Sequence, residues 1–165
     1  MTVYYLDTSA LVKRYWIEQG TELVDRPVEA RTGTDRFVSS FLTILEVTSA
    51  TYRFTGSGLL PENVGLEILR RFRRDLDEHF GVWPLDEGTL SRAVQVVEQY
   101  RLRSADAIHL ATALGVASAV GPVVPVMVSA DRELCQAAAT AGLHVIDPLR
   151  DDAIDRLNEL RRPRE

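Results

Sequence analysis

The stretch that decides the fold is residues 104–131, SADAIHLATALGVASAVGPVVPVMVSAD. Its first half is typical of a buried helix, and Val123–Val128 is typical of a buried strand, with a Gly-Pro turn between them. A helix of about 14 residues rises roughly 21 Å, and a strand of about six or seven residues returns roughly 21 Å. The matched lengths predict that Asp106 and Asp131 lie at the same end of a sheet.

Short apolar segments alternate with helical patterns along the rest of the chain. The predicted strands are Val3–Leu6, Phe37–Ser40, Val82–Leu85, Val123–Val128 and Leu143–Ile146, and the predicted helices include 22–30, 41–54 and 150–161. Buried strands separated by helices are typical of a parallel sheet that is covered on both faces. We therefore predict an α/β protein with three α/β/α layers and a mostly parallel central sheet. One domain is predicted over residues 1–148, followed by a charged helical tail over residues 149–165.

Composition limits the classes of function. The 165 residues are 45% hydrophobic and carry a net charge of −5, which argues against a surface coated with basic residues for non-specific nucleic-acid binding. A single cysteine, Cys135, excludes a disulfide within the chain and a cysteine-based zinc site. The three histidines are scattered. Any bound metal should therefore be a hard cation held by oxygen atoms, such as Mg²⁺ or Mn²⁺.

The sequence predicts a cytoplasmic protein with no membrane partner. Residues 107–130 carry no formal charge when His109 is neutral, which is long enough for a membrane span. Pro122 and Pro125 interrupt this stretch, so a buried helix followed by a buried strand fits better. The segment 1–7 lacks the charged region and the long apolar run of a secretory signal.

Four acidic residues are predicted to meet at one end of the sheet. Asp7 follows the first strand, Asp106 lies in the first turn of a helix, and Asp131 follows a later strand. Glu46 lies early in the helix after Phe37–Ser40, on the border of its apolar face. In parallel α/β folds, ligands bind beyond the carboxyl ends of the strands.

Clustered carboxylates repel one another unless a cation compensates their charge. A divalent cation would do so, and the absence of a glycine-rich phosphate loop favours phosphodiester hydrolysis over nucleotide binding. Each acid also has a simpler interpretation. Asp7, Asp106 and Asp131 suit helix starts, and Glu46 suits a solvated helix edge. The shared end of the sheet and the placement of Glu46 favour the site over the caps.

Four segments carry a resemblance to a known family. They are 6–15 (LDTSALVKRY), 40–46 (SFLTILE), 102–113 (LRSADAIHLATA) and 128–134 (VSADREL). In order and spacing they resemble the acidic motifs of PIN-domain proteins of the VapC toxin type, and the likeness runs from about Val3 to Pro148. The first and third motifs are specific, whereas the second and fourth would be weak alone.

The resemblance implies a compact PIN fold and a Mg²⁺- or Mn²⁺-dependent endoribonuclease. It also implies a homodimeric toxin that a small cognate antitoxin protein holds inactive. Asp7 and Asp106 are implied as direct metal ligands, with Glu46 and Asp131 completing the cluster or acting through water. The resemblance further implies that Ser9 and Ser129 are hydroxyls that orient carboxylates.

Other residues near the motifs allow weaker expectations. Lys13 and Arg14 follow Asp7 closely enough to contact RNA phosphates. His109 is more typical of a packed histidine than of a general acid, since a metal mechanism does not need it. A haloacid-dehalogenase-like phosphatase would need a second aspartate where the chain has Ser9. A non-catalytic binding relative and a DNA-directed nuclease remain as alternatives.

Overall fold

A computed structural model describes residues 1–16, 19–29 and 35–161. The strands are β1 (Val3–Leu6), β2 (Arg36–Ser40), β3 (Phe80–Trp83), β4 (Val126–Val128) and β5 (His144–Ile146). The helices are α1 (Thr8–Leu11), α2 (Thr21–Glu29), α3 (Phe41–Gly56), α4 (Glu62–His79), α5 (Glu87–Tyr100), α6 (Ser104–Val120), α7 (Arg132–Thr140) and α8 (Ala153–Arg161). A 3₁₀ turn over Val12–Arg14 continues α1.

The five strands form one parallel sheet in the order β3-β2-β1-β4-β5. The predicted α/β fold is confirmed, and every strand pair of the sheet is parallel. Strand order reverses between β1 and β4, where Leu6 pairs with Val128. Ligands of open parallel sheets bind outside the carboxyl ends of the strands at such a switch point. The fold therefore directs attention to the residues that follow β1 and β4.

Two cores lie on opposite faces of the sheet because successive strand residues point in opposite directions. Tyr4 packs on one face with residues of α1, α2, α4 and α8, including Phe72. Tyr5 packs on the other face with residues of α5, α6 and α7, including Leu110. The central strand β1 is buried throughout, as expected for a parallel sheet covered on both faces. It therefore gives the residues that follow it a rigid base.

Two strands differ from their predicted bounds. β4 begins at Val126 rather than Val123, since Pro125 has no N–H to donate and only its carbonyl bonds to β5, accepting from His144 at 3.2 Å. β3 covers Phe80–Trp83 rather than 82–85, because the Phe80 ring packs on Phe37 in the core directly at the end of α4.

The predicted tail packs against the core. Ala153 and Leu157 of α8 are buried among the residues of the Tyr4 core, and the Arg161 guanidinium donates to Asp35 at 2.7 Å. The last tail residues, 162–165, lie outside the described residues, as does Ala30 at the end of the predicted helix 22–30. Within the described ranges, no helix combines the length and the apolar character that a membrane span requires.

Candidate active site

The ends of β1 and β4 bring two aspartates to the switch point. Asp7 follows β1 and caps α1, while Asp131 follows β4 and caps α7. The Asp7 N–H donates to the carbonyl of Val128 at 3.2 Å, which ties the two strand ends together. Both aspartates do act as helix caps, as their simpler interpretation expected. The other contacts of their carboxylates indicate whether the two residues also have a role besides helix capping.

Neutral donors surround the Asp7 carboxylate, which is 3% exposed. Ser9 Oγ lies 2.9 and 2.8 Å from its two oxygens, Ser129 Oγ donates at 2.8 Å, and the Ala10 N–H donates at 2.9 Å. Burial raises the pKa of Asp7 above its ordinary value, although the charge that His109 carries when its ring is protonated and these hydrogen bonds lower it in part. The carboxylate is thus fixed in place while its negative charge remains costly.

The two serines extend this arrangement to the loop after β4. The Ala130 N–H donates to Ser9 Oγ at 2.9 Å, and the Asp131 N–H donates to Ser129 Oγ at 3.0 Å. Ser9 and Ser129 therefore lie where hydroxyls that orient the Asp7 carboxylate would be needed.

Asp106 and Asp131 meet through a shared cation. Arg103 Nε lies 3.2 Å from Asp106 Oδ2, and Arg103 Nη2 lies 3.5 Å from Asp131 Oδ2. These contacts confirm that the two acids return to the same end of the sheet. Burial and the charge of Asp131 raise the pKa of Asp106, and Arg103 opposes both effects. Sequence reasoning missed Arg103, whose signal was its position three residues before Asp106 on the same helix face.

Glu46 reaches the site from α3 and contacts two side chains of other elements. The Thr8 hydroxyl donates to Glu46 Oε2, and His109 Nε2 lies 3.2 Å from the same oxygen. Burial would raise the pKa of Glu46, but the hydrogen bonds from His109 and Thr8, and the charge of His109 when its ring is protonated, hold it below its usual range. His109 is buried, and its Nδ1 lies 2.8 Å from the Tyr5 hydroxyl. Glu46 is therefore held, not merely solvated at a helix edge.

The side chains near the ends of β1 and β4 can be compared with the ligands that a divalent cation requires. Among the residues that the structure describes, no group of three or more His, Cys, Asp or Glu side chains could hold a metal ion as it stands. The chemistry nevertheless suits a hard cation, because carboxylate and hydroxyl oxygens dominate the crevice. Burial raises the pKa of Asp7 and of Asp106, and a bound cation would favour the ionised form of both carboxyls. The residues therefore fit a divalent cation in kind, with side-chain movement needed to complete its ligands.

The structure corrects the expected phosphate contact of Arg14. Its guanidinium donates to Asp75 and to Asp25, both at 2.8 Å, and the residue is 7% exposed. A buried guanidinium committed to two carboxylates does not reach an RNA backbone. Lys13 is 5% exposed, so its burial does not support the expected contact with RNA phosphates either. Arg14 lies in the interior because carboxylates from α2 and α4 converge on its guanidinium.

Comparison with known proteins agrees with the resemblance found in the sequence. The family model described as PIN domain matches residues 4–140. The Ribonuclease VapC35 of Mycobacterium tuberculosis is 33% identical to this chain over 144 residues, which are 87% of this chain and 96% of that protein.

Solved structures agree in fold. VapBC-1 from nontypeable Haemophilus influenzae superposes with a TM-score of 0.63 at 16% identity, covering 90% of this chain and 100% of that one. A toxin–antitoxin complex from Klebsiella pneumoniae gives a TM-score of 0.57 at 19% identity, covering 88% and 97%. At these identities the likeness concerns the fold alone.

Proposed function

The chain belongs to the PIN-domain family, and from that premise we propose that it is a divalent-metal-dependent endoribonuclease, the toxin of a toxin–antitoxin pair. The observation that carries this proposal is the Asp7 carboxylate, which is buried at the switch point and accepts its hydrogen bonds from neutral donors. None of these hydrogen-bond donors is a cation, whereas a buried carboxylate with a purely structural role is commonly paired with one. The arrangement suits a site that takes a cation from solution.

Each acid has a proposed role. Asp7 and Asp106 are the direct metal ligands, since both are partly or fully buried and their charge is the least compensated. Glu46 and Asp131 complete the acidic cluster, directly or through water. Ser9 and Ser129 orient the Asp7 carboxylate, and the hydrogen bonds of both hydroxyls support this role.

The chemistry follows from this division of roles. Mg²⁺ or Mn²⁺, when bound, lowers the pKa of a coordinated water and stabilises negative charge on a phosphoryl oxygen. The serine hydroxyls hold Asp7 so that no reorganisation of that carboxylate is needed during the reaction. Arg103 is 77% exposed on its side chain, so it can leave the acids at little cost when a cation and a phosphate enter.

The proposed partners are an RNA substrate, a small cognate antitoxin and a second copy of the chain. The ribonuclease name of the M. tuberculosis relative supports the substrate, and the complex from K. pneumoniae supports the antitoxin. The homodimer and the cytoplasmic location are proposed from the family resemblance.

The test is cleavage of a structured RNA pool by the purified, antitoxin-free protein in Mn²⁺. Wild type should cleave, chelator should stop the reaction, and Asp7→Asn should lower the rate by about 100-fold or more, as expected for loss of a group that contacts the metal. The matched control is Asp77→Asn, which changes an exposed aspartate on α4 and should cleave like wild type.

Four outcomes would overturn parts of the proposal. Full activity of Asp7→Asn would remove that residue from the site, and activity in chelator would exclude the metal mechanism. Cleavage of single-stranded DNA but not RNA would replace the substrate. In cells, expression without antitoxin should arrest growth, and Asp7→Asn should not; equal growth of both would contradict the toxin role.

A further inference from the structure

A buried histidine connects the three elements that carry acids of the proposed site. His109 lies on α6, three residues after Asp106, and therefore on the same face of that helix. Its Nε2 lies 3.2 Å from the Glu46 carboxylate on α3, and its Nδ1 lies 2.8 Å from the hydroxyl of Tyr5 on β1. Tyr5 itself precedes Asp7 by two residues. One side chain thus links β1, α3 and α6 directly beneath the acidic cluster.

When the His109 ring is neutral, its contacts determine which ring nitrogen carries the proton. An ionised carboxylate can only accept, so the His109 Nε2 that faces Glu46 must donate. In a neutral imidazole the other nitrogen, Nδ1, is then an acceptor, and the Tyr5 hydroxyl must donate to it. The order of donation therefore runs from Tyr5 to His109 and from His109 to Glu46. Each hydrogen bond supports the next one in this order.

The same oxygen of Glu46 also accepts from Thr8, which follows Asp7 directly. Oε2 is therefore fixed from two sides, by Thr8 of α1 and His109 of α6. No hydrogen bond to Oε1 is recorded among the described residues. A carboxylate whose one oxygen is held from two sides has a restricted orientation.

We propose that His109 is a positioning residue for the nuclease, which holds Glu46 through Nε2 while Tyr5 fixes its tautomer through Nδ1. This inference rests on the proposed function and deepens it. In this role His109 orients the Glu46 carboxylate, which neither a histidine that only packs nor a general acid would do. The proposal makes a specific prediction for each ring nitrogen. Loss of the Nε2 contact should weaken metal binding and RNA cleavage directly. Loss of the Nδ1 contact should do so only by changing which nitrogen of the ring is protonated.

Two substitutions separate the nitrogens. The amide nitrogen of His109→Gln can occupy the place of Nε2, whereas that of His109→Asn reaches only the place of Nδ1. Tyr5→Phe removes one hydroxyl and keeps the ring in the core. His79→Asn at the end of α4 and Tyr4→Phe on the opposite face of β1 are the matched controls.

The measurements are made on the full chain. NMR of the ring nitrogens of His109 should show Nε2 protonated and Nδ1 bare in wild type, with this preference lost in Tyr5→Phe. His109→Asn should weaken Mn²⁺ binding in calorimetry by about tenfold and lower kcat for RNA by about tenfold, with KM nearly unchanged. His109→Gln should stay within about threefold of wild type on both measures, and the controls should match wild type.

The outcomes distinguish this inference from the proposed function. Wild-type protein that binds Mn²⁺ but cleaves no RNA would overturn the proposed function, and the tautomer and the Mn²⁺ affinities would still decide the role of His109. Protonated Nδ1 in wild type would overturn the inference. So would equal losses in His109→Asn and His109→Gln that follow their losses of thermal stability, since a merely structural histidine predicts that pattern.

Discussion

Two buried aspartates of this protein are held in opposite ways. Asp75 on α4 is 2% exposed, and its carboxylate accepts from the Arg14 guanidinium at 2.8 Å and from the Tyr15 hydroxyl at 3.0 Å. Asp7 after β1 is equally buried, but its hydrogen bonds come from Ser9, Ser129 and a backbone N–H. One carboxylate has a cation supplied by the chain, whereas the other has only neutral donors.

The hydrogen-bond partners of the two aspartates indicate a structural role for Asp75 and a functional role for Asp7. A buried charge is costly unless it is paired, and the pair between Arg14 and Asp75 meets that cost within the fold. At Asp7 the serines fix geometry without cancelling charge, and burial raises the pKa of the carboxyl. The chain therefore maintains an electrostatic cost at the switch point that a bound divalent cation would relieve.

The largest expected effect compares the two aspartates directly. In chelator, Asp75→Asn should lower the free energy of unfolding by about 3 kcal/mol, because it leaves the buried Arg14 without one of its partners. Asp7→Asn should change it by less than about 1 kcal/mol, since lost hydrogen bonds are offset by removal of an unpaired buried charge. Urea denaturation of both variants measures the difference. Equal losses would mean that Asp7 is as structural as Asp75.

With metal present, the stability of the protein should depend on Asp7. Mn²⁺ at about 100 times its dissociation constant should stabilise wild type by about 2.7 kcal/mol, which corresponds to a rise of about 5 to 10 °C in Tm. Asp7→Asn should show little of this rise, whereas the control Asp77→Asn should show all of it. Thermal unfolding with and without Mn²⁺ measures the effect. A full rise in Asp7→Asn would place the cation elsewhere.

The comparison also explains what the sequence could predict. The parallel sheet followed from the alternation of short apolar strands with helices, and the shared end of Asp106 and Asp131 followed from strand and helix lengths. Both are local properties of the chain. The interior position of Arg14 did not, because its partners Asp25 and Asp75 lie 11 and 61 residues away on two other helices. The position of Arg14 seven residues after Asp7, a proposed metal ligand, therefore suggested an exposed basic surface, whereas the tertiary structure buries this side chain.

The contacts of His109 were hidden for a similar reason. Its position three residues after Asp106 placed it on the right helix face, but nothing local indicated that Glu46 and Tyr5 would lie on either side of its ring. Strand β3 was shifted in prediction because burial of Phe80 against Phe37 depends on pairing with β2, which apolar patterning alone does not reveal. The sequence predicted the type of each of these elements, but it did not predict which residues far apart in the chain come into contact.

A smaller effect tests the neutral donors around Asp7. Ser129→Ala removes the hydroxyl that donates to Asp7 at 2.8 Å and accepts from the Asp131 N–H. RNA cleavage should fall by about tenfold, the scale expected for loss of a group that orients a metal ligand. Ser129→Thr keeps the hydroxyl and should retain most of the activity. If alanine and threonine behave alike, packing rather than hydrogen bonding accounts for the position.

The smallest expected effect concerns the cation that the chain does place near the acids. Arg103 bridges Asp106 and Asp131 at 3.2 and 3.5 Å, but its side chain is largely exposed, so its charge is screened. Arg103→Ala should tighten Mn²⁺ binding by about threefold at low salt, because a competing positive charge is removed. The gain should shrink toward zero in about 1 M salt, where the Debye length is about 3 Å. Arg74→Ala on α4 is the matched control, and calorimetry at both salt concentrations makes the measurement. Weaker binding in Arg103→Ala would show instead that Arg103 holds the two acids in the geometry that the metal needs, which would make it a built-in partner like Arg14.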